Sequence, residues 1–354
     1  MKLLKNAGKA VILATWPSPE TNEHCQQYLE KAGRTCYQSE KGEITDATAS
    51  AFVKKVMKRG HYSVIEHGWR GYIFTFEDTP QRKANDNRDA FLMSLYPELK
   101  HLFITCRQQA NKVLVSANLE TWRKLVARDA VPIEIVKELS EFAPTIFEDF
   151  LNTVTDPFIL TDVSMEVIQD VEQLHSDRER LVHMSSTVQF NNVSRGVTHE
   201  LVRHRVPVFS QESTRYVDES DFNVVVPPHR AETAQVLLVD NGEDKLKASF
   251  EGFINLSETM YRQLRKAGWA AEDARQMLPI GIKAQIVTSC NLEEWDYIFK
   301  KRTEKVAHWE IRRLMTNLLI EMQRVYRLFQ QYEVQLTTIL GIEGIIPDHT
   351  LVKE

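Results

Sequence analysis

The sequence has little of what would mark an exported, metal-stapled or membrane-spanning protein. Its 354 residues hold four cysteines, Cys25, Cys36, Cys106 and Cys290, and none forms a Cys-x-x-Cys pair. That spacing fits neither a disulfide framework nor a zinc knuckle, so the expectation is a reduced, cytoplasmic protein with no metal. No apolar run is long enough to cross a bilayer. The start, MKLLKNAGKAVILATWPSPE, has the basic head and apolar stretch of a leader, but AVILATW is short and meets Pro-Ser-Pro, which reads as a buried first strand. There is no positive excess. The 44 Lys and Arg against 49 Asp and Glu leave a net charge of −5, which gives no general attraction to nucleic acid or anionic membrane. No Gly-, Ser- or Pro-rich linker divides the chain, and there is no Gly-rich phosphate loop or Gly-x-Ser-x-Gly elbow.

What is present is a globular composition, 43% hydrophobic and 26% charged, sufficient for one large or two smaller domains. Residues 10–16 read as a strand, 19–33 and 46–60 as helices, and 69–78 as an alternating aromatic strand. From about 80 to 181 the pattern is mostly helical. A strand restarts near 186 and passes into a helix before Arg203. A short strand lies at 221–230, helices at about 243–266 and 269–278, and one long helical pattern over 291–332. The segments 113–125 and 285–298 share Asn-Leu-Glu-x-Trp. Either a partial duplication or two similar strand-to-helix entries would produce that echo, and no further repeat continues on either side.

Charge concentrates locally in LVRHRVPVFSQESTRYVDES, residues 201–220. Its guanidinium groups suit bidentate contact with phosphate or a base edge, and Ser213 and Thr214 add hydroxyl donors. Ser213 is a nucleophile only if His204 serves as its base; a hydroxyl among cations reads instead as a phosphate ligand. Downstream, Asn291, Trp295, Ile298, Arg302, Val306 and Trp309 recur at helical spacing and place Arg302 in an apolar stripe. Its head needs an anion, either a ligand or a nearby carboxylate such as Glu304. Glu272 and Arg275, one turn apart, form a surface ion pair or aim Arg275 at a ligand. In GHYSVIEHG, the residues His61, Ser63, Glu66 and His67 lack metal-ligand spacing and suit a hydrogen-bonding loop.

Together these motifs resemble the flavin-dependent thymidylate synthases. RHRVPVFSQESTRY matches that family's Arg-His-Arg, seven residues, Ser signature, and VSRGVTHELVRHR its approach. GHYSVIEHGWRGYIFTF, AGRTCYQSE and EDARQMLPIGIKAQIVTSCNLEEWDYIFKKRTEKVAHWEIRRL are similar to its other blocks. The resemblance implies an α+β fold, a mainly antiparallel sheet flanked by long helices. It divides the chain into a core of 1–76 and 187–354 and a largely helical insertion at 77–186. It implies reductive methylation of dUMP to dTMP, with FAD as cofactor and with methylenetetrahydrofolate and NAD(P)H as co-substrates, in a homotetramer with composite sites. Ser63, Glu66, Arg203, His204, Arg205, Gln211 and Asn291 would then hold FAD. Glu200, Arg203, Gln211, Glu212, Ser213, Thr214, Arg215, Arg275 and Arg302 would hold dUMP, with Arg302 activating the ring.

Four positions depart from the family pattern. Glu200 stands for a usual Gln and would need Arg203 or Arg215 to neutralise it beside a phosphate. Tyr297 stands for Asn or His, Val306 for a His that His308 could replace, and Cys36 for a Ser. Transfer to another pyrimidine nucleotide, and nucleic-acid binding through the basic loop, are the competing expectations.

Overall fold

A computed structural model describes residues 3–5, 7–37, 42–78, 83–95, 100–107, 111–152, 163–228, 235–240, 245–332, 334–337 and 346–349. The chain opens with β1 (Leu3–Lys5), β2 (Lys9–Trp16), α1 (Pro19–Glu23), α2 (Cys25–Arg34), α3 (Asp46–Lys58) and β3 (Trp69–Phe76). Next come α4 (Ala84–Leu95), β4 (Leu102–Arg107), β5 (Lys112–Asn118), α5 (Leu119–Val126), α6 (Ile133–Phe142), α7 (Pro144–Phe147), β6 (Val163–Val167) and α8 (Asp177–His183). The remainder is β7 (Ser185–Ser194), α9 (Arg195–Leu201), β8 (Val208–Gln211), β9 (Val224–Val226), β10 (Gln235–Asp240), β11 (Lys245–Ser249), α10 (Phe250–Lys266), α11 (Ala271–Ala274), β12 (Lys283–Asn291), α12 (Leu292–Arg302), α13 (Trp309–Val325), β13 (Val334–Thr337) and β14 (Ile346–His349).

Two four-stranded antiparallel sheets organise these elements, ordered β2-β7-β12-β8 and β4-β5-β3-β6. Each carries its own apolar cluster. One is built around Trp16, Trp69, Tyr72, Phe74 and Trp122 and the helices over β3 and β5; the other around Phe190, Trp295, Phe299 and α13. The α+β expectation holds: antiparallel sheets covered by helices.

The segment 77–186 differs from its mostly helical reading. Helices do occupy more of it than strands, but β4, β5 and β6 lie within it; β5 and β6 pair with β3, and β4 pairs with β5. The cut after 76 therefore separates β3 from its hydrogen-bonded neighbours, and the cut before 187 falls inside β7. The physical reason is two-sided burial. Residues 113–118 are all buried, so both faces of β5 are apolar or tightly packed and the period of two is erased.

The long helical pattern over 291–332 is two helices and a 3-10 turn, with the first break at Thr303–His308. The expected stripe ends with it: Val306 lies in the break and is 89% exposed. The helix expected over 269–278 is a single turn, α11, followed by a 3-10 turn. Gly68 is fixed by close approach, because a Cβ there would sit 2.6 Å from Leu119 Cδ1 while its carbonyl accepts from Leu119 N–H at 3.0 Å.

Candidate active site

The end of α12, the end of α9 and the loop after it meet at one polar cluster. Arg302, the last residue of α12, has a side chain 21% exposed, so its charge must be met inside the protein. Its Nη1 donates to Glu200 Oε2 at 2.9 Å, its Nη2 to the Glu200 carbonyl at 2.8 Å, and its Nε to His204 Nε2 at 3.0 Å. His204 is buried, and accepting from Arg302 at Nε2 leaves its proton on Nδ1, which faces Glu294 Oε1 at 3.6 Å. Glu304 takes no part in this network, and Glu200 is neutralised by Arg302 rather than by Arg203 or Arg215. His308 does approach the same carboxylate, Nδ1 to Glu200 Oε1 at 4.0 Å, from the loop that also holds Val306.

Arg203 and Arg205, either side of buried His204, are exposed and make no hydrogen bond or ion pair among the described residues. Two guanidinium groups without acceptors among the described residues, beside half-exposed Val202 and Tyr297, form a surface suited to an anion joined to a flat ring. Tyr297 lies edge-on to His204, ring centroids 5.9 Å apart.

The second half of the motif forms a neighbouring cluster. The side-chain amide of Gln211, at the end of β8, donates to Thr198 Oγ1 at 2.8 Å. The N–H of buried Glu212 donates to the Gln285 carbonyl, and Ser213 N–H donates to the Cys36 carbonyl at 3.2 Å. Cys36 thus meets the loop through its backbone, while burial raises its thiol pKa. Arg275 Nη1 donates to Thr214 Oγ1 at 3.4 Å. The expected Glu272–Arg275 pair does not form: Glu272 accepts instead from Arg215 Nε at 2.8 Å across the loop. No hydrogen bond links His204 to Ser213 among the described residues, and His204 is occupied by Arg302.

Asn291 is almost fully buried. Its side chain caps α12 by accepting from Glu294 N–H at 3.0 Å and donates to the Val182 carbonyl at 3.2 Å. Ser63 is exposed and Glu66 half-buried on the 3-10 turn before β3. Burial, then the nearby Glu120, raise the carboxyl pKa of Glu66. Glu66 shares a cleft with Asn291, Val206 and Val208, so the structure brings the early motif to the late one.

Sequence reasoning missed three participants. Arg195 donates to the Glu212 carbonyl at 3.4 Å, and burial lowers its pKa. Lys283 Nζ lies 3.8 Å from Glu212 Oε2. Glu294 orients His204. Only Glu294 carried a local signal, three residues past a capping asparagine; the others arrive through strand pairing.

Glu219 completes this pocket. It is buried, its Oε1 has no hydrogen-bond partner, and desolvation followed by the Glu212 charge push its pKa from 4.5 to about 7. The folded state therefore binds a proton the unfolded chain has released, and the resulting stability is complete below about 4.5 and lost as pH rises through 7. Glu219→Gln is expected to flatten the urea midpoint between pH 5 and 8. A wild-type midpoint that rises across that window would refute it.

Comparison with known proteins gives a consistent result. The family model described as thymidylate synthase complementing protein matches residues 20–82 and 167–326. The chain is 38% identical over 138 residues to the flavin-dependent thymidylate synthase of Nitratidesulfovibrio vulgaris, covering 37% of this chain and 52% of that one. It is 32% identical over 151 residues to that of Clostridium tetani, covering 40% and 60%. The chain thus spans between half and three fifths of the length of these relatives. Among solved structures, the UMP/dUMP methylase PolB from Streptomyces cacaoi bound with 5-Br dUMP matches with a TM-score of 0.34 and 20% identity, over 45% of this chain and 74% of that one.

Proposed function

We propose that this chain, which belongs to the thymidylate synthase complementing protein family, is a flavin-dependent methyltransferase that converts dUMP to dTMP with methylenetetrahydrofolate as carbon donor and NAD(P)H as reductant. The observation that carries the reading is the joining of two anion-competent clusters at the two ends of the short strand β8. Arg203 and Arg205 have no acceptor among the described residues, and Thr214 and Arg215 follow just past β8, where Arg275 donates to Thr214.

The Arg203 and Arg205 guanidinium groups, with Val202 and Tyr297 exposed beside them, fit a cofactor carrying a pyrophosphate and a flat ring. FAD, when bound, supplies the hydride that no amino-acid side chain can donate. Arg203, His204, Arg205, Ser63, Glu66, Gln211 and Asn291 are the residues proposed to hold it; Asn291 does so by fixing the start of α12, since its own hydrogen bonds are spent. Ser213, Thr214, Arg215, Arg275 and Glu212 would receive the nucleotide, chiefly its phosphate. Arg302 would face the uracil, where a permanently protonated guanidinium favours the N3-ionised, electron-rich ring. Held by Glu200 and His204, the fork is already oriented and needs little reorganisation.

The test is spectroscopic. Purified protein should carry or accept FAD, and dUMP should perturb the flavin band more than dCMP or UMP does. With methylenetetrahydrofolate and NADPH it should release the C5 hydrogen of dUMP. A protein that FAD cannot reconstitute would sink the reading, and equal responses to all three nucleotides would shift it to another pyrimidine substrate.

Glu200→Gln follows from the same geometry. The carboxylate competes with the substrate for Arg302, whereas the amide keeps a hydrogen-bond acceptor without the charge. We expect dUMP to bind about tenfold more tightly, or roughly 1.4 kcal/mol, in a direct titration. Weaker binding would show instead that Glu200 orients Arg302 more than it competes.

A further inference from the structure

The Asn-Leu-Glu-x-Trp echo is the visible trace of a larger repeat. The sheets β4-β5-β3-β6 and β8-β12-β7-β2 have the same order, with every neighbouring pair antiparallel. Their registers also match. Trp69, first in β3, pairs with Asn118, and Ser185, first in β7, pairs with Asn291. Each asparagine caps the helix that follows, accepting from Thr121 N–H at 2.8 Å and from Glu294 N–H at 3.0 Å. Four residues beyond each, a fully buried tryptophan donates its indole N–H to the second residue of the adjacent strand. Trp122 bonds the Arg70 carbonyl and Trp295 the Ser186 carbonyl, both at 3.0 Å. Leu119 and Leu292 donate in the same way to Gly68 and Met184.

One contact crosses between the copies, and it does so twice. His67, two residues before β3, places Nδ1 2.7 Å from Ser289 Oγ on β12 and Nε2 2.9 Å from Ser210 Oγ on β8. His183, two residues before β7, places Nδ1 2.9 Å from Ser116 Oγ on β5 and Nε2 2.7 Å from Thr105 Oγ1 on β4. Ser116 and Ser289 each stand two residues before their asparagine. Thr105 pairs with Leu114 and Ser210 with Val287, each four residues before it. Burial lowers both imidazole pKa values to about 3, so each ring is neutral and bonds through both nitrogens. Such reciprocity, with i contacting j and j contacting i, is the mark of a twofold axis. The cleft between the sheets is lined by matching pairs: Trp69 with Ser185, Asn118 with Asn291, and Phe103 with Val208.

The match fails where the candidate site lies. Eleven residues past Asn291 stands Arg302; eleven past Asn118 stands Asp129. The count that aligns Thr105 with Ser210 aligns Glu98 with Arg203, Leu99 with His204 and Lys100 with Arg205. In the sequence, carboxylates thus stand at the positions of Arg302 and Arg203, and a lysine replaces only the guanidinium of Arg205.

We propose that the chain is a fused pair of one three-stranded, helix-ending unit, in which only the second copy keeps a nucleotide site and His67 of the first is that site's positioning residue. His67 acts through Ser210, adjacent to Gln211, and through Ser289, two residues before Asn291. His183 holds the equivalent strands of the copy that has lost its site. The nucleotide half of this inference rests on the function proposed above.

The test uses full-length protein loaded with FAD. Equilibrium dialysis should give one dUMP per chain; two would overturn the loss of the first site. His67→Asn and His183→Asn should lower the thermal midpoint by similar amounts, as equivalent contacts require. Only His67→Asn should weaken dUMP binding, by about tenfold, while His183→Asn stays within about twofold. Equal effects on binding would overturn the role of His67, and clearly unequal midpoints would overturn the equivalence. If either variant does not fold, the milder pair Ser210→Ala and Thr105→Val carries the same comparison. Wild-type protein that binds FAD but no dUMP would refute the functional reading, leaving the repeat to be judged on the midpoints alone.

Discussion

Arg302→Ala is expected to lower kcat/KM for dUMP by about 10²- to 10³-fold, the usual cost of deleting one preorganised donor to developing charge. Two effects add. The guanidinium that would stabilise the ionised uracil is gone, and Glu200 loses its ion-pair partner, so its charge opposes the nucleotide. His204 also loses the donor to its Nε2. Some stability should be lost as well, because Arg302 is only 21% exposed and its removal leaves the Glu200 carboxylate, 30% exposed, without its ion-pair partner. Arg302→Lys keeps the charge without the fork, so it should recover part of kcat while KM stays high. Steady-state kinetics with dUMP varied, and circular dichroism on the same samples, separate these effects. Activity within threefold of wild type in the alanine variant would remove Arg302 from the chemistry.

Trp295→Ala should destabilise the fold by about 3–5 kcal/mol, the range for deleting a fully buried large aromatic side chain. Trp295 is fully buried between β7 and α12, packs beside Phe299 with ring centroids 5.9 Å apart, and donates to the Ser186 carbonyl at 3.0 Å. Its removal leaves a cavity and takes one donor from the Ser186 carbonyl at the start of β7. Because α12 carries Arg302 at its far end, residual activity should fall further than the folded fraction does. Val306, 89% exposed in the loop beyond α12, is the control: Val306→Ala should stay within about 0.5 kcal/mol. Urea unfolding, with midpoint and slope both compared, measures each. A Trp295→Ala loss below 1 kcal/mol would mean that its surroundings collapse to fill the space.

The helices over 25–34, 46–58 and 250–266 were legible from an amphipathic trace with a cap or turn beside it, and the strands over 9–16 and 69–76 from β-branched and aromatic runs bounded by turns. The strands β4 and β5 were not. β5 is buried on both faces, so it shows no alternation, and β4 is short. The break after Arg302 was hidden for another reason. Trp295, Ile298, Val306 and Trp309 keep helical spacing through it, although Val306 faces solvent and α13 starts anew at Trp309.

By itself, the sequence determined the family and the neighbourhoods that matter. Arg203, His204 and Arg205, the serine after seven intervening residues, and the Asn291-to-Arg302 spacing are local patterns, and local patterns survive in one dimension. It also held the echo of a repeat in one Asn-Leu-Glu-x-Trp pair. Which groups meet was decided only in three dimensions. That Arg302 binds Glu200 rather than Glu304, that Glu272 holds Arg215 rather than Arg275, and that His67 and His183 exchange places under each other's sheet depend on strand register and on helix ends far apart in the chain. A one-residue slip in either register would turn those side chains to the opposite face, and no spacing along the sequence fixes that.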